Sequence, residues 1–549
     1  MEARLAELDA EHAKAVAGGG QKYVDRHHAR GKLLARERIE LLVDEGSAFL
    51  ELSPLAGWGS DFAVGASLVT GIGVVEGVEC LITANDPTVK GGASNPFTLR
   101  KAFRASQIAA ENGLPTINLV ESGGADLMTQ KEIFIPGGRM FRDLTVASAD
   151  RRPTIALVFG NSTAGGAYIP GMSDYTVMVR GQAKVFLGGP PLVKMATGEE
   201  ADEESLGGAE MHARTSGLAD YLAADEADAI RIGRRIVARL GRGPVSLASQ
   251  ESPVHRRNCH FSTVATPDKC RFHRFTGETR PRPDFAEPDA DPEELLDLIP
   301  TDLSEPFDPR EVIARICDGV GPGNGAVFDE FKPLYGPSLV TGWAQLHGRQ
   351  IGILANAQGV LFSQEAQKAT QFIQLANQID VPLLFLHNTT GYMVGTEYEQ
   401  GGIIKHGAMM INAVSNSTVP HLTVIIGASY GAGNYGMNGR AYDPRFCFTW
   451  PNAKSAVMGP AQLAGVLSLV SRASAEAKGQ PYDEEADAQM RAFVEGAVEE
   501  ASLPFALSGM VYDDGVIDPR DTRTVLGICL SVIAGRPTAG TSRFGVFRP

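Results

Sequence analysis

The sequence predicts an α/β protein that contains two copies of one fold, and three observations support this fold class. Short segments recur at a long, nearly constant spacing: Val69-Thr70-Gly71 returns as Val340-Thr341-Gly342, an offset of 271 residues. Each copy shows the same predicted order of elements, in which strands alternate with helices. In each copy, an apolar strand leads into a glycine-rich loop that opens a helix. Solenoid repeats are about 20–50 residues long, so this spacing indicates two domains instead.

The strongest repeat lies around the glycine-rich loop. Ile155–Tyr168 (IALVFGNSTAGGAY) matches Leu422–Tyr435 (LTVIIGASYGAGNY) at an offset of 267 residues. The change of offset from 271 to 267 places one small length difference in the loop between Asn85 and Lys101. Because the matches concentrate on glycines at strand ends, they indicate that a backbone geometry has been duplicated.

The elements follow in order from the N-terminus. The segment from Met1 to about Glu45 is predicted to be helical and to stop at Gly46. A strand–turn–strand pattern covers residues 69–84, and its second copy surrounds His347-Gly348. The elements after each hairpin, given for the first and then the second copy, are a helix (99–112; 364–378), a strand (115–120; 382–386), a loop (121–126; 388–392) and, after a further helix, a strand (154–159; 422–426). The remaining segments are a Pro-, Asp- and Arg-rich linker (about 251–305) and a C-terminal helix (525–534).

Composition and charge argue against several classes of protein. The chain has 549 residues, of which 43% are hydrophobic and 21% charged, and this is typical of a globular protein with more than one domain. Its net charge of −15 argues against nonspecific binding to nucleic acid or to an anionic membrane. The N-terminus is acidic and polar, no apolar run is long enough to span a membrane, and the six cysteines do not make a disulfide framework. We therefore expect a cytoplasmic protein with neither nucleic acid nor membrane as a partner.

The glycine-rich loops predict two oxyanion holes. The first N–H groups of a helix have no acceptor within it, and small residues let a substrate oxygen approach them. Gly165-Gly166 and Ala432-Gly433 supply such groups, and a second donor can come from the neighbouring loops Gly123–Ala125 and Thr390–Tyr392. The alternative is that these glycines only permit tight packing of helix on strand. The occurrence of the pattern twice favours the oxyanion holes.

Other catalytic and cofactor motifs are weak. Gly427–Gly431 matches the G-x-S-x-G pattern of a hydrolase nucleophile at Ser429, but no histidine follows His421, and the matching copy at Gly160 lacks the second glycine. The sequence has no P-loop motif, and Gly71-Ile72-Gly73 runs along a strand and not into a helix.

Three groups of charged or metal-binding residues stay open. The linker could hold zinc, although a polar interdomain loop is favoured because the spacing is not that of a typical zinc site; its candidate ligands are His255, Cys259, His260, Cys270 and His273. A basic cluster near the N-terminus could either contact phosphates or form a solvated helix face; its members are Arg26, His27, His28, Arg30, Lys32, Arg36 and Arg38. Lys101 and Lys368 occupy matching helix positions, where a binding or a structural role is open.

Several longer segments resemble the β (carboxyltransferase) subunits of biotin-dependent acyl-CoA carboxylases. The resemblance covers nearly the whole chain, from ARGKLLARERIELLVDEGS to the terminal FGVFRP. Its most specific segments are NDPTVKGGA, ESGGADL, STAGGAYIPGMSD, FLGGPPLVKMATGEE, LGGAEMHARTSG, SYGAGNYGMNGRAYDPRF and VYDDGVIDPRDTR. Within that family, GPPLVKMATGEE and YGAGNYGM are most similar to the 3-methylcrotonyl-CoA carboxylase branch.

The resemblance implies a tandem duplication of two crotonase-type (ClpP/crotonase-like) β-β-α superhelix domains. The implied parts are an N-terminal carboxyltransferase domain on the CoA side (1–252), a connector (253–305) and a C-terminal carboxyltransferase domain on the biotin side (306–549). By position match, the thioester oxygen would be held at Gly165 and Gly166, and the acyl-CoA would be bound by Gly124, Ala125, Ala164 and Lys101. The biotin oxygen would be held at Ala432 and Gly433, and biotin would be bound by Gly391, Tyr392 and Gly431.

The implied reaction moves CO2 from carboxybiotin to an acyl-CoA, with 3-methylcrotonyl-CoA of leucine catabolism as the first expectation. It needs no side-chain base, because biotin itself takes the substrate proton, and no metal is expected in this chain. The sequence has no Ala-Met-Lys-Met biotinylation string and no segment resembling a biotin carboxylase. The implied partners are therefore an α subunit with biotin carboxylase and biotin carrier domains, and further copies of this chain, as a β6 core within α6β6.

Other functions remain open from the sequence. The same chemistry could serve another acyl-CoA, such as a geranyl-, propionyl-, acetyl- or longer-chain thioester. The chain could also be the subunit of a biotin-dependent carboxyacyl-CoA decarboxylase, which runs the reaction in reverse. A scaffold subunit without catalysis is disfavoured, because a scaffold has no need of the glycine-rich loops in both copies.

Overall fold

The structure is a computed structural model that describes residues 1–198, 200–240, 285–300, 302–303, 305–320 and 328–544. The chain divides into two compact units. The first half, as we call it, comprises Asp9–Thr279 and Gly509–Val511, and the second half comprises Met1–Leu8, Arg280–Ser508 and Tyr512–Pro549. The connector expected at residues 253–305 lies mostly outside the described residues, so the three domain boundaries drawn from the sequence stay a prediction.

The first half is built on an eight-stranded mixed sheet. Its strands are β1 (Phe49–Glu51), β2 (Leu68–Val75), β3 (Val78–Asn85), β4 (Thr116–Ser122), β5 (Thr154–Thr163), β6 (Tyr175–Val179), β7 (Lys184–Phe186) and β8 (Tyr221–Ala223). They lie in the order β1-β2-β3-β4-β5-β6-β8, and β7 pairs with β5. The β1–β2 and β2–β3 pairs are antiparallel, whereas the pairs from β3 onwards are parallel. Residues 155–159 of β5 are all buried and apolar, as expected for a parallel strand that is covered on both faces.

The second half contains a sheet of the same design. Its strands are β9 (Asp329–Glu330), β10 (Leu339–Leu346), β11 (Arg349–Asn356), β12 (Gly359–Leu361), β13 (Leu383–Tyr392), β14 (His421–Tyr430), β15 (Phe446–Thr449) and β16 (Lys454–Ala456). They lie in the order β15-β14-β13-β11-β10-β9, with β12 on β13 and β16 on β14. Antiparallel pairing of β9, β10 and β11 gives way to parallel pairing from β11 onwards.

The strand register confirms the predicted duplication. Gly71 of β2 pairs with Ile82 of β3, and Gly342 of β10 pairs with Ile353 of β11, at the offset of 271 seen in the sequence. The β4–β5 and β13–β14 pairs repeat in the same way at the offset of 267. The predicted α/β fold with two copies of one domain is therefore correct.

The length difference between the copies lies in the loop that follows the hairpin. Ser94 and Leu361 occupy equivalent bridging positions beside the next strand, at the offset of 267. The segment from Asn85 to Ser94 is therefore four residues longer than the segment from Asn356 to Leu361. The four additional residues therefore lie in one loop of the first half, within the segment that the sequence predicted.

Helices accompany both sheets. Along the chain they are α1 (Glu2–Ala17), α2 (Gln21–His28), α3 (Ala35–Leu42), α4 (Pro96–Asn112), α5 (Gln130–Ala149), α6 (Tyr168–Met172), α7 (Pro190–Thr197), α8 (Glu203–Gly207), α9 (Ala209–Met211), α10 (Glu226–Leu240), α11 (Leu295–Leu298), α12 (Pro309–Ile316), α13 (Ser363–Gln378), α14 (Thr396–Gln400), α15 (Ile403–Asn416), α16 (Gly431–Gly436), α17 (Pro460–Ala477), α18 (Glu484–Ser502), α19 (Pro504–Gly509) and α20 (Thr522–Ala534). Ile39 of α3 and Ile230 of α10 join the core of the first half, and Phe372 of α13 joins that of the second. Among the helices that the structure describes, none has both the length and the apolar composition to cross a membrane.

The N-terminal segment is not one continuous helix. Helices α1, α2 and α3 are separated at Gly18–Gly20 and at residues 29–34. A side chain at Gly19 would place its Cβ 1.9 Å from the carbonyl oxygen of Thr88, so this position needs glycine for a close backbone approach. The helices predicted from the spacing of apolar residues are present, but the break between α1 and α2 depends on a contact with a loop 69 residues away.

Candidate active site

The first predicted hole begins where strand β5 ends. A short 3-10 turn covers Ala164–Ala167, and Ala164 itself adopts a left-handed backbone with φ of 54°. Gly165 is exposed and Gly166 half-buried. Their N–H groups stand at the start of the turn, where no acceptor within the turn is available to them. The Ser162 hydroxyl donates to the Gly166 carbonyl oxygen over 2.8 Å and holds the turn on the strand.

The neighbouring loop, at the end of β4, comes close to this turn. Gly124 has φ of 95°, and an added Cβ would lie 3.1 Å from the Thr163 carbonyl oxygen. The Gly124 N–H donates to the Ser122 hydroxyl over 3.2 Å. The Ala125 N–H has no acceptor among the described residues, and Ala125 is exposed. The structure thus brings Gly124, Ala125 and Ala164 together, as predicted, and leaves Ala125 as the available donor of the loop.

The second half repeats this arrangement at the end of β14. Gly431 has φ of 54°, the same value as Ala164, and opens helix α16. A Cβ on Gly433 would lie 2.9 Å from the Thr389 hydroxyl oxygen and 3.0 Å from the Gly391 Cα, so the turn and the neighbouring loop are in contact. The Gly391 N–H donates to the Thr389 hydroxyl over 3.2 Å, as Gly124 does to Ser122 in the first half.

Of the remaining predicted biotin-side residues, Ala432 is exposed and Tyr392 is turned inward. The Tyr392 hydroxyl contacts the sulfur of Met410 at 3.5 Å, and its ring packs against Gly407. Burial raises the pKa of the Tyr392 hydroxyl. The backbone of Tyr392 therefore belongs to the loop beside Gly433, whereas its side chain has a packing role.

A charge network lies beside the strand that leads into the first turn. The Glu121 carboxylate, at the end of β4, accepts from Lys32 Nζ at 2.5 Å and from Arg38 Nη2 at 2.8 Å. Arg38 is fully buried and also donates to Glu226 from Nε at 2.8 Å. Burial acts to raise the pKa of the Glu121 carboxyl, but the charges of Arg38 and Lys32 hold this pKa below its usual value. A Cβ on Gly160 would meet the Glu121 carboxylate at 2.5 Å, which explains the glycine.

A neutral side chain takes this place in the second half. Asn388 stands at the position of Glu121, and its Oδ1 accepts from the Ala428 N–H over 3.1 Å. A Cβ on Gly427 would meet Asn388 Oδ1 at 2.5 Å, matching Gly160 in the first half. The paired glycines could be predicted from the sequence, but the side chains that lie on them could not.

Ser429 of the hydrolase-like pattern is buried. Its hydroxyl lies 3.0 Å from His387 Nδ1 and accepts from Asn434 Nδ2 over 2.8 Å. His387 Nε2 is bonded to the Met437 carbonyl oxygen, so Nε2 carries the proton and Nδ1 accepts from Ser429. Burial lowers the pKa of His387 to about 4, against the opposing effect of the Met437 bond. A serine–histidine contact exists, formed with a histidine that precedes Ser429, but it is closed off from substrate and holds strand β13 to helix α16.

The two matching lysines are also buried. Lys101 Nζ donates to the Gly65 carbonyl oxygen over 3.4 Å, and Lys368 Nζ donates to that of Leu339 over 2.8 Å. Burial lowers the pKa of Lys101 to about 8, against the opposing charge of Glu51. These contacts lie on helices α4 and α13 and not on the glycine turns, so a role of Lys101 in acyl-CoA binding stays a prediction.

Most of the basic cluster is paired with neighbouring acceptors. Arg36 is bonded to Glu51 at 2.5 and 2.9 Å, and His28 to Glu37 at 3.1 Å. Arg26 and Arg30 are exposed and have no carboxylate partner among the described residues. The proposed zinc ligands His255, Cys259, His260, Cys270 and His273 lie outside the described residues. Within the described part, no three His, Cys, Asp or Glu side chains are grouped to hold a metal.

Two equivalent strands of the chain each end in a turn that presents backbone N–H groups. The carboxyl transferase domain family matches residues 26–546. A probable biotin-dependent acyl-coenzyme A carboxylase β2 subunit of Mycobacterium tuberculosis is 69% identical over 100% of this chain and 96% of its own length. The 3-methylcrotonyl-coenzyme A carboxylase β1 subunit of the same organism is 46% identical over 99% of this chain and 96% of its own length.

A solved structure agrees with these relatives. The β subunit of geranyl-CoA carboxylase from P. aeruginosa superposes with a TM-score of 0.82, at 42% identity, over 100% of this chain and 96% of that one. The chain therefore belongs to the carboxyltransferase (β) subunits of biotin-dependent acyl-CoA carboxylases. It is an enzyme, and its reaction class is carboxyl transfer.

Proposed function

We propose that this chain transfers the carboxyl group of carboxybiotin, presented by a partner subunit, to 3-methylcrotonyl-CoA. The observation that carries this proposal is the repeated turn, with φ of 54° at both Ala164 and Gly431. Each turn presents N–H groups, and the reaction has two oxygens that gain negative charge. One is the thioester oxygen of the acyl-CoA, and the other is the ureido oxygen of biotin.

In the first half, we assign the N–H groups of Gly165, Gly166 and Ala125 to the thioester oxygen. Loss of a proton from the acyl group turns this oxygen into an enolate. Fixed donors stabilise that charge more than they stabilise the neutral carbonyl, which lowers the barrier. The small side chains of the turn leave the N–H groups accessible.

In the second half, we assign the turn at Ala432 and Gly433, with the loop at Gly391, to the biotin oxygen. Bound carboxybiotin supplies the carboxyl group and, once it has released CO2, a base for the substrate proton. The protein side chains fit this division of roles. The Glu121 carboxylate is paired with Lys32 and the buried Arg38, and the Ser429 hydroxyl is bonded to His387 and Asn434, so neither is free to act as a base.

The choice of substrate rests on relatives named for 3-methylcrotonyl-CoA. Geranyl-CoA is the second candidate, because the superposed P. aeruginosa subunit is named for it. Both thioesters carry a 3-methyl-2-enoyl group, in which charge from the lost proton spreads onto the thioester oxygen. They differ in the length of chain beyond that group. With 3-methylcrotonyl-CoA as the substrate, the proposed role is in leucine catabolism.

The partners follow from the same proposal. An α subunit with biotin carboxylase and biotin carrier domains would deliver carboxybiotin, and copies of this chain would form a β6 core within α6β6. Exposed apolar side chains on two helices support assembly, since large apolar patches mark contact surfaces. Phe134 on α5 is 77% exposed and Phe493 on α18 is 75% exposed. The cytoplasmic location stays a prediction.

The test follows decarboxylation by the purified chain in the presence of free biotin. Four carboxyacyl-CoAs are compared: 3-methylglutaconyl-, carboxygeranyl-, methylmalonyl- and malonyl-CoA. We expect biotin-dependent loss of the carboxyl group, fastest from 3-methylglutaconyl-CoA. Preference for carboxygeranyl-CoA would establish the second candidate, and preference for methylmalonyl- or malonyl-CoA would overturn both. A chain that is inert toward all four, also with its α subunit present, would overturn the assignment of catalysis.

A further inference from the structure

A buried histidine lies on the edge of the first sheet, in the segment that follows helix α9. That helix passes directly into a π-helical turn, His212–Ser216, and His212 is only 9% exposed. Its Nε2 lies 2.7 Å from the Val185 carbonyl oxygen, and its Nδ1 lies 2.6 Å from Ser216 Oγ. Turns of π-helix are rare in proteins and frequently occur at functional sites. His212 belongs to neither glycine turn, so a role in the reaction has to act through its hydrogen bonds.

The hydrogen bonds of His212 run in one direction. A carbonyl oxygen can only accept, so Nε2 carries the proton of the neutral ring and donates it to Val185. Nδ1 then accepts from the Ser216 hydroxyl, whose oxygen accepts in turn from the Leu218 N–H over 3.3 Å. Both ring nitrogens are therefore fixed, and the ring presents one donor to strand β7.

Strand β7 depends on this donor because of its position in the sheet. One side of β7 pairs with β5, and the other side meets the segment before the π-helical turn, through a bridge between Lys184 and Gly208. Val185 is buried, and a buried carbonyl oxygen that lacks a partner destabilises the fold. A Cβ on Gly207 would lie 2.5 Å from this oxygen, so glycine at that position keeps the oxygen open to the imidazole.

Strand β7 lies beside the residues that lead into the first glycine turn. Ser162 of β5 is in register with Val185, two positions before the turn begins at Ala164. The Ser162 hydroxyl also holds the turn, since it donates to the Gly166 carbonyl oxygen over 2.8 Å. The path from His212 to the turn therefore passes through Val185 and Ser162.

The second half holds the equivalent strand in a different way. Ser455 of β16 takes the position of Val185, since it is in register with Ser429 of β14. The neighbouring Lys454 forms an ion pair with Glu499 of helix α18, and the sequence contains no histidine after β16. The histidine is therefore specific to the half whose turn we assign to the thioester oxygen.

We infer that His212 is a positioning residue for carboxyl transfer, which fixes the first glycine turn by holding the Val185 carbonyl oxygen; the inference rests on the proposed function. Donors lower the barrier only when they are set in advance where the charge develops. A slightly displaced turn can still bind the neutral thioester, but it stabilises the enolate less. Loss of the bond to Val185 is therefore expected to lower kcat and to leave KM unchanged.

Two amide substitutions separate this bond from the rest of the side chain. In His212→Gln, the amide nitrogen can take the place of Nε2 and donate to Val185, whereas the shorter side chain in His212→Asn reaches only the place of Nδ1. Each full-length variant is assayed with free biotin and the carboxyacyl-CoA that the unmodified chain decarboxylates fastest. We expect His212→Asn to lower kcat roughly 10- to 100-fold, with KM for the thioester and for biotin unchanged. His212→Gln should restore most of the activity.

Circular dichroism melting identifies the temperature range in which each variant is folded, and kcat is compared within that range. A folded His212→Asn variant with full activity would overturn the inference. Equal losses in the asparagine and glutamine variants, or a loss that appears in KM and not in kcat, would also overturn it, because the bond to Val185 would not explain them.

Ser216→Ala decides the case in which an amide variant does not fold. It leaves the bond to Val185 in place but frees Nδ1, so it should lower kcat severalfold without a change in KM; an unchanged kcat would overturn the inference. Failure of the proposed function is a different result, because the unmodified chain would then decarboxylate no carboxyacyl-CoA.

Discussion

The two halves of the chain present the same backbone turn, but the side chains packed on the strands that lead into it differ. In the first half, the Glu121 carboxylate lies against Gly160 of β5, the strand that leads into the turn, and its charge is balanced by the half-buried Lys32 and the buried Arg38. In the second half, the neutral amide of Asn388 fills the same place and bonds to the strand backbone. The backbone angles at Ala164 and Gly431 nevertheless agree. The comparison teaches that the same turn geometry is compatible with a charge network or with an amide on the strand that leads into it.

A second difference separates what the halves can bind. The loop after the hairpin is four residues longer in the first half, and its residues 87–91 line a cavity beside helix α2. The corresponding segment of the second half passes directly into strand β12. Equal turns with unequal surroundings are what we expect when one half holds a phosphate-bearing thioester and the other holds biotin.

The largest effect is expected from a side chain placed on either turn. Gly166→Val and Gly433→Val should each reduce turnover by about 10²–10³-fold or more, because the donors are screened from the oxygen they stabilise. Gly433→Val should also unfold at a lower temperature than Gly166→Val. Gly433→Val meets Thr389 and Gly391 at 2.9–3.0 Å, whereas a Cβ on Gly166 meets only Ser162, at 3.6 Å. Steady-state decarboxylation and thermal unfolding measure the two effects.

Gly496→Val is the matched control for these variants. Gly496 lies on helix α18, is exposed, and has nothing within 4 Å of an added Cβ. This variant should keep its activity. Full activity in both turn variants would contradict the proposal of two oxyanion holes. Loss of activity in only one variant would indicate a single catalytic turn.

Substitutions that change the charge at Glu121 or Asn388 should have an intermediate effect, on stability. Glu121→Gln should destabilise the first half by about 3 kcal/mol at neutral pH, because Lys32 and Arg38 lose a buried partner. Asn388→Asp should destabilise the second half by about 2 kcal/mol, because it buries a carboxylate in a site built for an amide. Urea unfolding of each variant against the unmodified chain measures both values.

Both variants should have a defect that depends on pH. The pKa of Glu121 is lowered in the folded chain, so its contribution is complete above the usual value of 4.5 and is lost as the pH falls through the folded pKa. The difference between the unmodified chain and Glu121→Gln should therefore shrink below pH 4.5. Asn388→Asp should also recover in acid, since protonation removes its charge. A Glu121→Gln defect that is constant down to acid pH would contradict the charge network.

The smallest effect is expected at the paired serines. Ser429→Ala removes the hydroxyl between His387 and Asn434 and should cost about 1 kcal/mol of stability, with turnover within about tenfold of the unmodified chain. Ser162→Ala is its counterpart, and it removes only the bond to Gly166. Circular dichroism melting and the decarboxylation assay check both. A loss of activity by several orders of magnitude in Ser429→Ala alone would make Ser429 a nucleophile and break the equivalence of the halves.

Much of the fold and part of the site could be predicted from the sequence. The hairpins, the parallel strands and the offset of 271 and 267 all appear in the structure, because strand patterns and turn glycines are local signals. The glycine turns were found for the same reason. The side chains packed on the preceding strands could not be predicted, because Arg38 contacts Glu121 and Glu226 across 83 and 188 positions of the chain. No local pattern marks contacts of that range.

The sequence by itself determined that this protein has two copies of one α/β domain, each with a glycine-rich turn at the end of a strand. It did so because glycines at strand ends and apolar periodicity express backbone geometry within a few residues. Only the tertiary structure decided which polar side chains are paired with other groups of the protein. It buried Ser429 against His387 and paired most of the basic cluster. It also left Arg26 and Arg30 exposed, because burial and pairing depend on which distant segments the fold brings together.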